Sequence, residues 1–224
     1  MSLDAVGRAR NTDKASSFVS GGVLSSGHDY LRHYEEAFAR HQNAHIQILD
    51  LGVGSDPDRF ASALAWVDYF PNAEIVAVDI EPNSSPHPRI SFVQMDLSNP
   101  RNLATLSQNL HPTIVVEDAS HFWTHQILSL LYLLPAIKPG GLYIWEDLHT
   151  SSPVNAGYDA GSFIAPTTLL SVLVDKVLLK DDARPATAYP DLGPLAPAEL
   201  VDSLVPIIDS ICVLRRSAIF RLKA

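Results

Sequence analysis

The chain has 224 residues, 46% of them hydrophobic and 18% charged, with a formal net charge of −9. This length and balance fit one folded α/β domain with a full core and exclude a disordered chain. The negative charge, with no run of Lys or Arg, argues against nucleic acid or an anionic membrane as partner.

Residues 1 to about 25 are polar and rich in Ser and Gly, so 1–26 is expected to be a mobile arm or lid, and 27–224 a single domain. Leu31, Tyr34 and Phe38 keep helical spacing over 31–40. An apolar strand follows over Ile46–Leu51, then a helix over Asp58–Tyr69 with Phe60, Leu64 and Val67 on one face. Strands are expected over Glu74–Ile80 and Ile90–Met95, a helix over Arg101–Leu110, and a strand from Thr113. A long apolar helix over Thr124–Ile137 stops at Lys138-Pro139-Gly140-Gly141, and another strand begins there. Residues 151–165 read as loop and a plausible lid, Pro166–Lys180 as a helix, 181–197 as a surface excursion, and Pro197–Ile208 as a helix. The last two strands, Ile211–Leu214 and Ala218–Leu222, are joined by a turn too short for a parallel crossover, so they must form an antiparallel hairpin. Strand–helix alternation at this spacing predicts an α/β fold, a doubly wound and mostly parallel sheet ending in that hairpin.

The lone cysteine, Cys212, cannot form an internal disulfide and reads as a buried core thiol. No stretch approaches the roughly 18 apolar residues of a membrane span, and no apolar signal region opens the chain. A cytoplasmic location is the expectation.

Two apolar runs end abruptly in acids and a histidine: Thr113-Ile-Val-Val-Glu117-Asp118-Ala-Ser-His121, and Gly141-Leu-Tyr-Ile-Trp-Glu146-Asp147-Leu-His149-Thr150. Ligands of open parallel sheets sit at the carboxyl ends of strands, and neighbouring strands lie about 4.8 Å apart. Asp118, Glu146 and Asp147 can therefore converge, and a hard divalent cation such as magnesium, calcium or manganese would compensate them. Glu146 and Asp147 point to opposite faces inside a strand, so both reach one ion only if the strand ends there. His121, three residues beyond Asp118, is placed to act as a base. Each has a plainer reading: Asp118 and Asp147 as helix caps or loop acids, His121 as a structural hydrogen bonder. His121 and His125, four apart, raise zinc, but no thiolate or further His accompanies them on this segment. His149 either contacts substrate or orients Asp147. Trp123, Trp145, Tyr158 and Phe163 line an acceptor pocket or fill the core.

Ile48-Leu-Asp50-Leu-Gly52-Val-Gly54 is a strand entering a glycine turn. A dinucleotide fingerprint would need a third glycine where Pro57 stands, which disfavours pyrophosphate and a nicotinamide dehydrogenase. The next strand ends in Asp79, where such sheets hold ribose hydroxyls. The third ends in Met95-Asp96, where an adenine can lie on Met95 and donate to Asp96. Asp79 and Asp96 can equally cap turns. Glu117, opposite in direction to Asp118, is a candidate for a bound cofactor.

Asp50-x-Gly52-x-Gly54, Asp79 and Met95-Asp96 resemble the class I S-adenosylmethionine-dependent methyltransferases. Asn11-Thr12-Asp13-Lys14, Gly27-His28-Asp29-Tyr30 and the two acidic clusters narrow this to the metal-dependent O-methyltransferases of the mycinamicin and macrocin type, which modify sugars on macrolides. The family more often has Gly where Asn11 stands, and Asp and Gly where Glu117 and Ala119 stand. The resemblance implies a Rossmann-like seven-stranded sheet whose terminal hairpin supplies the reversed last strand. It implies S-adenosylmethionine on Asp50, Gly52, Gly54, Asp79, Met95, Asp96 and Glu117. It further implies magnesium or another hard divalent cation on Asp118, Glu146 and Asp147, and His121 as general base. The expected activity is O-methylation of a hydroxylated small molecule, a sugar or another natural-product intermediate; a homo-oligomer is left open. A non-catalytic cofactor-binding protein of the same fold is the alternative.

Overall fold

A computed structural model of the protein describes all residues except 56, 57, 160, 163 and 180–188, together with the side chain of 156. Pro57, Phe163, Lys180 and most of the expected surface excursion thus lie outside the described residues. The chain divides into two compact units, Met1–Met95 and Asp96–Ala224.

The first unit opens with helix α1 (Leu3–Ala9), whose N-cap Ser2 side chain accepts from the Ala5 amide. Leu3 and Val6 are buried, and α1 packs on α2 (Leu31–Phe38) and α3 (Ala61–Tyr69). A hairpin of β1 (Ser17–Ser20) and β2 (Val23–Ser26) follows. Where the sequence predicts an arm over 1–26, then, the structure has a packed helix and a hairpin. Two apolar residues in a polar stretch carry that helix into the core, a signal too sparse for periodicity.

The motifs at 11–14 and 27–30 are explained by backbone. His28 donates to the Asp13 carbonyl at 2.7 Å, Asp29 to Ala15 at 3.1 Å and Tyr30 to Lys14 at 2.9 Å. A Cβ on Gly27 would stand 1.9 Å from the Ala15 carbonyl oxygen, so only glycine allows this approach. The expected face of α2 is buried: Tyr30, Tyr34 and Phe38 stack in sequence, and Phe38 meets Trp66 and Phe70. Strands β3 (Gln47–Leu51), β4 (Glu74–Asp79) and β5 (Ile90–Gln94) pair in parallel in the order β5-β4-β3. The Arg89 guanidinium donates to the carbonyls of Val67, Phe70 and Ala73, satisfying the end of α3.

The second unit holds α4 (Pro100–Asn109), β6 (Ile114–Glu117), α5 (Trp123–Leu133), β7 (Leu142–Trp145), α6 (Pro166–Leu179), α7 (Ala198–Leu204), β8 (Ile208–Val213) and β9 (Ala218–Leu222). Every residue of β6 and β7 is buried, as continuous apolar runs in a parallel pair require. The strand order is β6-β7-β9-β8, with β9 antiparallel to both neighbours, the expected reversed strand and hairpin. Cys212 corrects its expectation: it is exposed. Strand β8 is an edge strand in which only Ile208 is buried, so its apolar letters do not all face inward.

Candidate active site

The register that pairs Glu117 with Trp145 brings the carboxyl ends of β6 and β7 level. Both strands stop one residue short of Asp118 and Glu146, meeting the condition for adjacent acids to leave strand geometry. Asp118, His121 and Asp147 each offer a ligand atom, and these atoms lie within 4.8 Å of one another. His121 Nε2 is 3.6 Å from one Asp147 oxygen, and His149 Nδ1 is 3.9 Å from the other. His121 and Asp147 both sit in left-handed backbone, at φ 60° and 51°. Such conformations cost on the order of 1 kcal/mol or more for a non-glycine residue and persist where surrounding structure holds them.

That structure is a buried polar network which the sequence reading did not single out. The Trp123 indole donates to the Thr150 carbonyl at 2.9 Å, and the Thr150 hydroxyl donates to the Asp147 carbonyl at 2.7 Å. The Gln126 amide donates to the Glu146 carbonyl at 3.2 Å and accepts from the Ser151 hydroxyl. Gln126 is an amide with no exposed surface, followed on the helix by the apolar run that Ile127 opens.

Glu146 is buried and stands outside the group formed by Asp118, His121 and Asp147. Glu117 is buried, and burial, with Asp118 beside it, pushes its carboxyl up to about 8 against the opposing pull of the Ala119 amide and the Gln126 side chain. His125 is turned away from the acids; its Nδ1 is 2.6 Å from the Ser120 hydroxyl, and burial lowers its pKa. Trp123 and Trp145 are core residues, whereas Tyr158 is exposed beside the His121 ring. In the same unit, Asp96 faces Ser98, whose side-chain hydroxyl first and backbone amide at 2.9 Å second hold its carboxyl below the usual range.

In the first unit, Gly52 (φ 91°) and Gly54 (φ 73°) form the turn after β3, and among the described residues nothing lies within 4 Å of a Cβ built on Gly54. Asp79 fixes that turn: one carboxylate oxygen accepts from the Val53 amide at 3.0 Å and the other from Glu81 at 3.0 Å. A carboxylate has about four acceptor positions, so two bonds leave it able to take hydroxyls. Asp50 is fully buried and accepts from Ser62, so its part in the turn is structural support from behind. Met95 is half-buried past the end of β5.

No family model matches the chain. It is 36% identical over 129 residues to 8-demethyl-8-alpha-L-rhamnosyl tetracenomycin-C 2'-O-methyltransferase of Streptomyces olivaceus, covering 55% of this chain and 34% of that protein. It is 31% identical over 175 residues to demethylmacrocin O-methyltransferase of Streptomyces fradiae, covering 73% and 44%. The chain's homologues are macrolide and tetracenomycin O-methyltransferases. It spans between a third and half of the length of these O-methyltransferases. A solved methyltransferase of the mycinamycin biosynthetic pathway, MycE, in complex with Mg and SAH, superposes on all of the chain and 55% of its own, with TM-score 0.77 at 23% identity. The fold is accordingly that of class I methyltransferases, a mixed seven-stranded α/β sheet whose last strands are antiparallel.

Proposed function

We propose that residues 27–224 carry an S-adenosylmethionine- and magnesium-dependent O-methyltransferase acting on a hydroxyl of a small molecule, a sugar or another natural-product intermediate. The observation that carries this is the group of Asp118, His121 and Asp147 at the ends of two parallel strands, two hard oxygen donors with a base beside them. The donor chemistry fits a divalent cation, and the open space at Gly54 with the Asp79 carboxylate fits a ribosyl cofactor without pyrophosphate. When bound, the cofactor supplies a methyl group and the cation acidifies a hydroxyl.

The chain's own residues do the rest. Asp118 and Asp147 hold the cation, and Glu146, just past β7, adds a third carboxylate when its side chain turns toward them. His121 Nε2, held close to Asp147, takes the hydroxyl proton. His149 leans on the other Asp147 oxygen and orients it. In the first unit, Gly52, Gly54, Asp79 and Met95 bind the cofactor. Location in the cytoplasm, no nucleic-acid or membrane partner, and an open question of homo-oligomer belong to this reading. Among the described residues no helix is long and apolar enough to cross a membrane.

The test is transfer of a labelled methyl from S-adenosylmethionine to rhamnosyl and macrolide-sugar acceptors, with magnesium and after chelation. Magnesium-dependent label in an ether supports the reading. Full transfer after exhaustive chelation refutes the metal, and cofactor binding without transfer to any acceptor returns the non-catalytic alternative.

A further inference from the structure

We infer that Arg215 and Arg216 hold an anionic group of the acceptor, a phosphate ester or a carboxylate, while its hydroxyl lies at Asp118, His121 and Asp147. This rests on the methyltransferase reading and adds to it a charge that the acceptor must carry. The two arginines form the loop between β8 and β9, closed by a bond of 2.8 Å from the Leu214 amide to the Ser217 carbonyl. Strand β9 runs antiparallel to β7 and pairs its first residue, Ala218, with the last of β7, Trp145. The loop is therefore at the carboxyl end of β7, where Asp147 follows. The contact is direct: the amide of Leu148, next to Asp147, donates to the Arg216 carbonyl at 2.7 Å. Arg221, by contrast, pairs with Leu142 at the opposite end of β7.

Both arginines are exposed, and among the described residues neither pairs with a carboxylate. Arg216 stands at φ 71°, in the left-handed region that a turn ordinarily gives to Gly or Asn. Backbone strain kept on a long charged residue beside a reactive centre points to a use for its side chain. Solubility is no reason for the pair, because a chain of net charge −9 gains none from added positive charge. A guanidinium presents its donors in a planar fork that fits phosphate and carboxylate oxygens. Two neighbouring guanidinium groups repel each other, and an anion between them removes that repulsion. The bond to Leu148 fixes the loop relative to Asp147, so an anion held there sets how the acceptor hydroxyl meets His121. A neutral acceptor would leave both guanidinium groups in water.

The test is calorimetry on magnesium-loaded protein with glucose 1-phosphate, glucuronic acid and methyl glucoside, which share a pyranose and differ in charge. At least one of the two acids should bind about tenfold or more tightly than methyl glucoside, the scale of one charge-assisted hydrogen bond. Glucose 1-phosphate should lead where the anionic group is a phosphate, and glucuronic acid where it is a carboxylate. Arg215→Gln combined with Arg216→Asn removes both charges, and Asn tolerates the left-handed position. That double variant should lose the preference for the acid while keeping its affinity for magnesium. A wild type that binds all three compounds alike, or none of them, overturns the anion site. So does an acid preference that survives in the double variant, since the cation alone then holds the anion. Loss of magnesium affinity in the double variant also overturns it, because the loop then only supports Asp147. Magnesium and S-adenosylmethionine titrations of the wild type judge the methyltransferase reading separately.

Discussion

Replacing Asp118 by Asn separates a cation site from a merely structural acid pair without knowledge of the acceptor. Asp118→Asn keeps the shape of the side chain and removes one of two carboxylates whose ligand atoms lie within 4.8 Å. At that distance two unit charges repel by about 1 kcal/mol in water and about 3.5 kcal/mol at an effective dielectric of 20. Asp118 is half-buried, so solvent screening leaves roughly 1–2 kcal/mol. In a chain of this size 1 kcal/mol moves Tm by about 2–4 °C. With chelator at about pH 8, where an ordinary imidazole is neutral, Asp118→Asn should therefore melt a few degrees above wild type. Magnesium should stabilise wild type by more than the variant. A ligand at about 100 times its Kd stabilises by about 2.7 kcal/mol, and the variant, with one carboxylate fewer, should gain less than about 1 kcal/mol. The assay is thermal unfolding followed by circular dichroism, with chelator and with magnesium chloride raised to about 100 times the measured Kd. A variant less stable than wild type in chelator that keeps the full magnesium gain would refute the reasoning, because the acids would then serve the fold and not a cation.

His121→Ala should bind cofactor and magnesium normally yet transfer methyl groups about 10²–10⁴ times more slowly. That deficit should shrink as pH rises and hydroxide replaces the base; an unchanged pH–rate profile would make His121 structural. Asp79→Ala should weaken S-adenosylmethionine binding in calorimetry while leaving the circular dichroism of the fold in place, and unaltered affinity would remove Asp79 from the site. Asp68 is held below the ordinary carboxylate range, first by its hydrogen bond from Arg10, so its contribution is present above its ordinary pKa and is lost as pH falls through the lowered one. Both partners are more than a third exposed, so Asp68→Asn should cost under about 1 kcal/mol near neutrality. Urea denaturation should find that difference vanishing in acid, and a deficit that persists there would point to packing instead.

Reading the sequence worked where one physical constraint acted alone. Strands β4, β6 and β7 are buried on both faces, so their letters are continuous apolar runs, and the short Arg215-Arg216-Ser217 link left no topology but a hairpin. Reading failed where a residue answered two constraints. Cys212 lies in an apolar run, but on an edge strand only one face needs cover. Helix α1 is held by two buried side chains, too few to show a period. The convergence of the acids was legible only in part. Asp118 and Asp147 met as their strand ends implied, whereas Glu146 stayed outside and His121 came in. Left-handed backbone decides this, and glycine usually marks it. At Asn11, where the resembled family more often has glycine, φ is 59°, and the Asn side chain also bonds both backbone groups of Val19. His121 and Asp147 carry no such mark, and the Asp147 backbone is held by the Thr150 hydroxyl on its carbonyl, with Gln126 and Ser151 holding the neighbouring Glu146 carbonyl. The polar residues hidden on an apolar helix and turn are thus the sequence's trace of a strained site, and they are legible only once the strain is known.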